Sequence, residues 1–165
     1  LVVERLTGQH AEGFISAAMQ WGTEQEPAAK AAYEFWTNAT IEPAEFTDHP
    51  VIPMSGASPD GLVGDDGLVE IKCPNTATHI ETLVGASVPE KYVLQMQWQM
   101  ACTGRAWCDF VSFDPRMPDE MALFIQRVAR DQQKITDLQN EVVLFLNEVE
   151  ATVRALRKRY ERKAA

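Results

Sequence analysis

The stretch SGASPDGLVGDDGLVEIKCP, Ser55 to Pro74, decides how this chain is read. Gly64-Asp65-Asp66-Gly67 is a strong turn signal between Leu62-Val63 and Leu68-Val69, so a β-hairpin is expected. Yet the hairpin carries Asp60, Glu70 and Lys72, in an element that favours β-branched and aromatic residues. Side chains alternate along a strand, so Leu68, Glu70 and Lys72 point one way and Val69, Ile71 and Cys73 the other. A turn over residues 64–67 brings Asp60 opposite Glu70 or Ile71, where facing residues lie about 4.5–5.5 Å apart. Two carboxylates that close repel unless a cation sits between them. Mg²⁺ meets that need, because it takes one or two carboxylates and fills its other positions with water and phosphate oxygens. The Ile71 carbonyl is placed to add an oxygen. Lys72, on the face of Glu70, can polarise a bound water or neutralise charge as a phosphodiester is attacked. The competing reading is a plain hairpin with a cross-strand ion pair. The chain's other Pro-Asp, Pro118-Asp119, has no E-x-K in range, and Glu161-Arg162-Lys163 is a helix tail.

Outward from the hairpin, the pattern alternates helices and strands. HAEGFISAAMQ reads as a helix with Phe14, Ala17 and Ala18 on one side. After Trp21-Gly22, Thr23 suits an N-cap, Pro27 the first turn, and Ala28 to Trp36 a helix. TIEPAEFTDHPVIPM, broken by Pro43, Pro50 and Pro53, reads as irregular chain or edge strand. NTATHIETLVG is a short helix capped by Asn75 or Thr76, and PEKYVLQMQWQMACTG a longer one ending at Gly104. AWCDFVSFD and EMALFIQRV read as strands. From about Asp131 a long amphipathic helix follows, its stripe made of Ile135, Leu138, Val142, Phe145, Val149, Val153 and Leu156. The expected class is α/β or α+β, a central mixed sheet of about four to five strands flanked by helices.

The totals set limits. One domain over residues 1–165 is expected from the length, with a core large enough to need no staples. No apolar run approaches the roughly 20 residues of a membrane helix, so no membrane partner is expected. Cys73, Cys102 and Cys108 form no CxxC pair, which fits small buried groups in a reducing cytoplasm rather than disulfides, zinc or an iron–sulfur cluster. His10, His49 and His79 share no ligand spacing and read as surface or cap residues. Trp107 and Phe110, on a strand, read as core. A net charge of −9 argues against nucleic acid at first sight, but net charge does not decide what one local groove binds.

SPDGLVGDDGLVEIKCP resembles the corresponding stretch of the phage λ exonuclease and YqaJ-like viral recombinase family, within the PD-(D/E)xK nuclease superfamily. WGTEQEPAAKAAYEF looks like that family's W-G-x-x-x-E helix. KYVLQMQWQM resembles its glutamine-bearing helix, and FDPRM its strand-ending YDPRM. The resemblance implies a restriction-endonuclease-like core. It implies two Mg²⁺ ions, with Mn²⁺ able to substitute, held by Asp60, Glu70, the Ile71 carbonyl and Glu26. Lys72 would be the catalytic lysine and Gln95 a supporting glutamine. Ser58 is expected to donate to a DNA phosphate, and Arg116 to contact DNA. Taken alone, Glu26 is an acid in a helix first turn, and Gln95 with Gln99 an ordinary polar stripe.

The activity implied is 5′→3′ digestion of one strand of linear duplex DNA to a 3′ single-stranded tail, in phage or prophage recombination in a bacterial cytoplasm. The implied partners are duplex DNA ends, a single-strand annealing protein, and further copies of the chain in an oligomer, possible as a ring-shaped trimer. Lys91, Arg105, Arg116 and the Arg154–Lys163 tail are candidates to line a DNA channel. A site- or structure-specific endonuclease and an inactive DNA-binding module are the alternatives. Two departures stand out. The family's N-terminal segment, whose basic residue recognises a 5′-phosphate, is expected to be missing before Leu1. Trp98 stands where the family often has tyrosine.

Overall fold

The expected hairpin forms, with arms Gly61–Val63 and Gly67–Lys72, in a computed structural model that describes residues 1–9, 13 and 16–160. In chain order the elements are α1 Val2–Thr7, α2 Ala17–Thr37, β1 Ile41–Glu42, β2 Thr47–Asp48, β3 Gly56–Ala57, β4 Gly61–Val63 and β5 Gly67–Lys72. Then come α3 Thr76–Gly85, α4 Glu90–Thr103, β6 Trp107–Phe113, a 3₁₀ turn Asp119–Met121, β7 Leu123–Ala129 and α5 Gln132–Tyr160. Five strands form one mixed sheet in the order β1-β4-β5-β6-β7, and β2 pairs with β3 apart from it. Only β5 and β6 run parallel; the other pairs of the large sheet are antiparallel. Parallel neighbours cannot be joined by a tight turn, so α3 and α4 make the crossover. This is the α+β class expected from the sequence.

Gly64, at φ 55°, takes the left-handed position of the hairpin turn. Gly67 pairs with Val63 and lies so close to the Trp107 ring that a Cβ there would run into it. Alternation along β5 sorts the two faces of the sheet. Val69, Ile71 and Cys73 join Val63, Val111 and Phe113 beneath Ala29 and Tyr33 of α2. Leu68 joins Cys108 and Phe110 beneath Met96 and Met100 of α4. All three cysteines are free and buried, Phe110 is core, and Trp107 packs against the core partly buried, as expected.

Four expectations need correction. The helix expected to stop at Trp21-Gly22 does not: α2 is continuous, with Pro27 inside it. Ser16 is its cap, its Oγ accepting from the Met19 N–H at 3.2 Å, whereas the Thr23 hydroxyl donates to the Met19 carbonyl. Of the segment read as the preceding helix, His10, Ala11, Glu12, Phe14 and Ile15 lie outside the described residues. Second, His79 is fully buried in the structure, between the Ser112 hydroxyl at 2.7 Å and the Met121 carbonyl at 2.8 Å. His49 is buried too: its Nδ1 accepts from the Val51 and Ile52 N–H groups, and its ring stacks on Trp98 at 4.9 Å. Third, Phe145 is half exposed, and Leu146 takes its place in the stripe of α5 because a 3.6-residue step from Val142 falls between the two. Fourth, Arg105 is spent on the hairpin, donating to the Gly64 and Gly67 carbonyls, both at 2.7 Å.

The residues divide into a compact unit of residues 15–135 and another of residues 1–14 with 136–165. In the second, Val149 and Val153 are buried, and Leu6, Leu156, Arg157 and Tyr160 surround a shallow hollow. Among the described residues no helix is long and apolar enough to cross a membrane.

Buried polar groups tie the first unit together. Asp109 receives a bidentate pair from Arg127 and the Tyr33 hydroxyl at 2.8 Å, linking α2, β6 and β7. Asp114, at the end of β6, accepts from the Arg116 guanidinium and N–H. Burial pushes its carboxyl up, but hydrogen bonds from Arg116 and Thr76 outweigh that and hold it at about 2. A carboxyl lowered below its unfolded value stabilises the fold above that value and loses the contribution as pH falls through the folded one. Asp114→Asn should therefore cost on the order of 1–2 kcal/mol at neutral pH, with the gap to the parent closing between about pH 4 and pH 2. Urea unfolding across that range measures it; a gap that stays constant with pH counts against the ion pair as its source.

Candidate active site

Register does for Asp60 and Glu70 what the hairpin promised. Gly61 faces Val69, so one step outward sets Asp60 level with Glu70. The two carboxylates end in different surroundings. Asp60 is partly exposed, and its Oδ2 accepts the Ile71 N–H at 2.6 Å. Glu70 is 1% exposed and points from the α4 face of β5. A bare buried carboxylate is strongly disfavoured, so its oxygens need donors. Gln95 Nε2 gives one at 2.7 Å to Oε1, Gln99 Nε2 another at 2.6 Å to Oε2, and the Lys72 ammonium pairs with Oε1. Gln95 and Gln99 sit one helical turn apart on α4, which brings both amides to the same strand residue.

Lys72 lies 5.3 Å from the centre of the Tyr92 ring. Phe110 backs that ring at 5.4 Å, and Lys91 approaches it at 4.6 Å. Burial alone would lower the Lys72 ammonium, but Glu70 and then Asp60 outweigh it and hold it above its ordinary value. Lys72 is thus a fixed cation rather than a proton acceptor. Asp60 is pushed up to about 6, first by burial and then by the neighbouring Glu70, with the Ile71 N–H and Lys72 opposing. The acids therefore outweigh the one lysine among them.

Asp60 and Lys72, with Tyr92, open onto one cleft of about 470 Å³, lined also by Ala18, Met19, Gly22, Thr23 and Glu26 of α2 and by Ile71, Cys73 and Pro74, and the buried Glu70 lies behind them. Glu26 thus shares the cleft with Asp60, and pairs with Lys30 one turn on at 2.8 Å. Ser58 is exposed two residues before Asp60. Arg116 stands at the rim near Pro74 but is engaged three ways: Asp114, the Pro74 carbonyl at 3.2 Å, and the Trp21 ring at 4.4 Å. Trp98 donates its indole N–H to the Gly56 carbonyl at 3.1 Å.

Among the described residues no group of three His, Cys, Asp or Glu side chains forms a ready-made metal cage. Mg²⁺ does not require one: one or two carboxylates suffice, and each ionised carboxylate has about four acceptor positions. Asp60, Glu70 and the Ile71 carbonyl are hard oxygen donors of the matching kind, so the residues fit such an ion.

Two contributors escaped the sequence reading. Gln99 holds Glu70 as directly as Gln95 does, and Tyr92 walls the cleft beside Lys72. Their i, i+4 and i, i+3 spacing from Gln95 placed them on its helix face, but which strand residue they meet depends on the packing of α4. Gln99→Leu should cost about 1.5–3 kcal/mol, the usual effect of removing a hydrogen bond to a buried charge, and lower activity about 10–100-fold. Gln95→Ala, at a more exposed position, should cost less stability. Urea melts and turnover measured side by side check the pair; a Gln99→Leu protein equal to the parent in both would show that Glu70 does not need that amide.

A family model for the YqaJ-like viral recombinase domain matches residues 2–106. Among solved structures, the chain is similar to an alkaline exonuclease, LHK-Exo from Laribacter hongkongensis, at 51% identity over 96% of this chain and 80% of that one, with a TM-score of 0.91. The structure of LHK-Exo in complex with dAMP matches with the same figures. A phage-related exonuclease from Haemophilus somnus 129PT, at 17% identity over 94% and 80% of the two chains and a TM-score of 0.76, shares the fold. No curated protein matches the chain significantly. With the PD-x₉-E-x-K hairpin, the glutamine-held glutamate and the helix glutamate gathered in one region, and the family model covering well over half its length, the chain belongs to the YqaJ-like viral recombinase domain family and is an exonuclease homologue.

Proposed function

We propose that this chain is a metal-dependent deoxyribonuclease that digests one strand of linear duplex DNA from its 5′ end and leaves a 3′ single-stranded tail. The observation that carries the reading is the meeting of Asp60, Glu70 and Lys72 beside a cleft that Glu26 also lines. The dAMP bound by LHK-Exo supports a site for deoxynucleotides in its relatives.

Asp60, Glu70 and the Ile71 carbonyl would hold Mg²⁺ or Mn²⁺, two ions per site, with Glu26 of the same cleft assisting. When bound, such ions supply Lewis acidity toward the phosphodiester and lower the pKa of water. The chain's own residues supply the rest. Gln95, Gln99 and Lys72 satisfy both oxygens of the buried Glu70 and fix its direction. Lys72, held between Glu70 and Tyr92, brings a permanent positive charge to where negative charge builds up on the phosphate oxygens. Ser58, exposed two residues before Asp60, offers a hydroxyl to a backbone phosphate. Arg116 is assigned a supporting part instead of a direct one, because its guanidinium already joins Trp21, Asp114 and Pro74. The proposed setting is phage-type recombination in a bacterial cytoplasm. The proposed partners are a single-strand annealing protein, which takes the 3′ tail, and further copies of the chain.

Linear and covalently closed circular duplexes of one sequence, incubated with Mg²⁺, test this reading. Mononucleotides and single strands should appear from the linear DNA while the circle stays intact. Nicked or linearised circles would mean an endonuclease, and no cleavage of either an inactive binding module.

A further inference from the structure

His49 is buried and titratable, and it does not line the Asp60–Lys72 cleft. It stands at the end of β2, which pairs with β3 in an arm apart from the main sheet. Its backbone N–H donates to the Ser55 carbonyl at 2.9 Å. Its Nδ1 accepts from the Val51 N–H at 3.2 Å and the Ile52 N–H at 3.0 Å. A ring nitrogen that accepts carries no proton, so the imidazole is neutral with its hydrogen on Nε2. Burial pushes it below its ordinary value, which favours the same form. The loop it closes is strained: Met54 takes the left-handed conformation at φ 62°, where a side chain of that size stays only if its surroundings impose it.

The arm leads straight to Asp60. β3 ends at Ala57, and Ser58 and Pro59 alone separate it from the acid. Pro59 has a fixed φ, so little slack is left to absorb a shift of β3. On the other side of Asp60, Gly61 is held by its register in the main sheet. Trp98 of α4 ties the arm down. Its indole N–H donates to the Gly56 carbonyl at 3.1 Å, and its ring lies 4.9 Å from the His49 ring and 18° from parallel. Trp98 falls between Gln95 and Gln99, which hold Glu70. One helix thus sets Glu70 directly and reaches Asp60 through the arm. We propose that neutral His49 is a positioning residue for Asp60: it locks the β2–β3 arm against Trp98, and a proton on Nδ1 releases the lock. This rests on the nuclease reading and adds the residue that places one of its two acids. The titratable groups beside the lock are Asp48, which precedes His49 on β2, and Cys102, one turn past Trp98 on α4; β3 has none. Burial and the Asp48 charge hold the Cys102 thiol up at about 11, so it stays neutral where His49 titrates. A histidine lowered by folding contributes fully above its unfolded value, about 6.5, and loses that contribution as pH falls below it.

Amide hydrogen exchange by NMR and turnover on linear duplex, on His49→Ala, His49→Asn, His49→Gln and the parent, test it. The Ile71 N–H reports where Asp60 stands, since it donates to Asp60 Oδ2 at 2.6 Å. Asn offers an amide oxygen in the place of Nδ1 and does not titrate, whereas the Gln oxygen lies further out, in the place of Nε2. At pH 8, His49→Ala and His49→Gln should lose protection at Val51, Ile52 and Ile71 at least about tenfold. Their turnover should fall about 10–100-fold, the effect of a small misplacement at a reacting centre, and His49→Asn should regain most of both losses. Between pH 8 and pH 5.5 the parent should lose protection at Val51 and Ile52, and His49→Asn should keep it. Circular dichroism checks the fold, and the comparison of His49→Asn with the parent stands even if His49→Ala does not fold. Unchanged Ile71 protection or turnover in folded His49→Ala, no recovery in His49→Asn, or one pH course for His49→Asn and parent overturns the proposal. Loss of protection confined to Val51 and Ile52 overturns it too, since the loop would then be held without consequence for Asp60. A parent that digests nothing while the exchange results hold fails the nuclease reading alone. Digestion that His49→Ala leaves intact, with Ile71 as protected as in the parent, fails the positioning role alone.

Discussion

Asp60→Asn should lower turnover on linear duplex on the order of 10³-fold or more while leaving the protein at least as stable as its parent in the absence of divalent ions. The loss follows from the proposed role of Asp60, since the variant lacks the charged oxygen donor that would hold an ion against a phosphodiester. The gain in stability follows from the carboxyl's raised value of about 6. A carboxyl harder to ionise in the folded state than in the unfolded chain destabilises the fold when charged. That penalty grows as pH rises from the unfolded value near 4 to the folded one near 6, and it is complete above. Asn keeps an oxygen for the Ile71 N–H and carries no charge, so the variant escapes a penalty on the order of 1–2 kcal/mol at pH 7. Turnover and urea melts in chelator, on one preparation, give both halves. Equal digestion by variant and parent would refute the metal assignment. A large fall in stability would instead make Asp60 a structural acid.

Lys72→Met should fail differently. It removes the fixed cation of the cleft, worth about 10²–10³ in turnover, and also strips a partner from a carboxylate that is 1% exposed. Breaking one side of a buried ion pair costs about 3–5 kcal/mol, and because the Lys72 side chain is 28% exposed the cost here should be smaller, up to about 3 kcal/mol. The combination Lys72→Met with Glu70→Gln should regain most of the lost stability, since a neutral amide no longer needs the ammonium, and regain no activity. A double-mutant cycle in stability and in turnover separates the two effects. Activity regained together with stability would mean that Lys72 matters only as a partner for Glu70.

The two variants probe opposite halves of one arrangement. Asp60 is the acid kept within reach of solvent, and Glu70 the acid withdrawn into the sheet and supplied with three donors. The first carries an electrostatic penalty that a cation relieves. The second has its oxygens held in place by the protein's own donors.

By itself the sequence determined what local chemistry controls. The turn at Gly64–Gly67, the alternation of β5, the Asn75 cap of α3, the end of α4 at Gly104 and both late strands follow from rules spanning a few residues, and the structure has them all. The meeting of Asp60 and Glu70 was legible for the same reason, because a hairpin turns spacing into register. Tertiary structure alone decided the rest. Nothing local shows that Pro27 lies inside a continuous helix, that His79 is buried between Ser112 and Met121, or that Gln99 reaches Glu70 across 29 residues. Nor does it show that Arg116 is already occupied by Asp114 and Trp21. Burying a charge or an imidazole is favourable only if donors from distant segments arrive to meet it. A chain's own neighbours reveal what a residue can do; packing reveals which residues are left to do it.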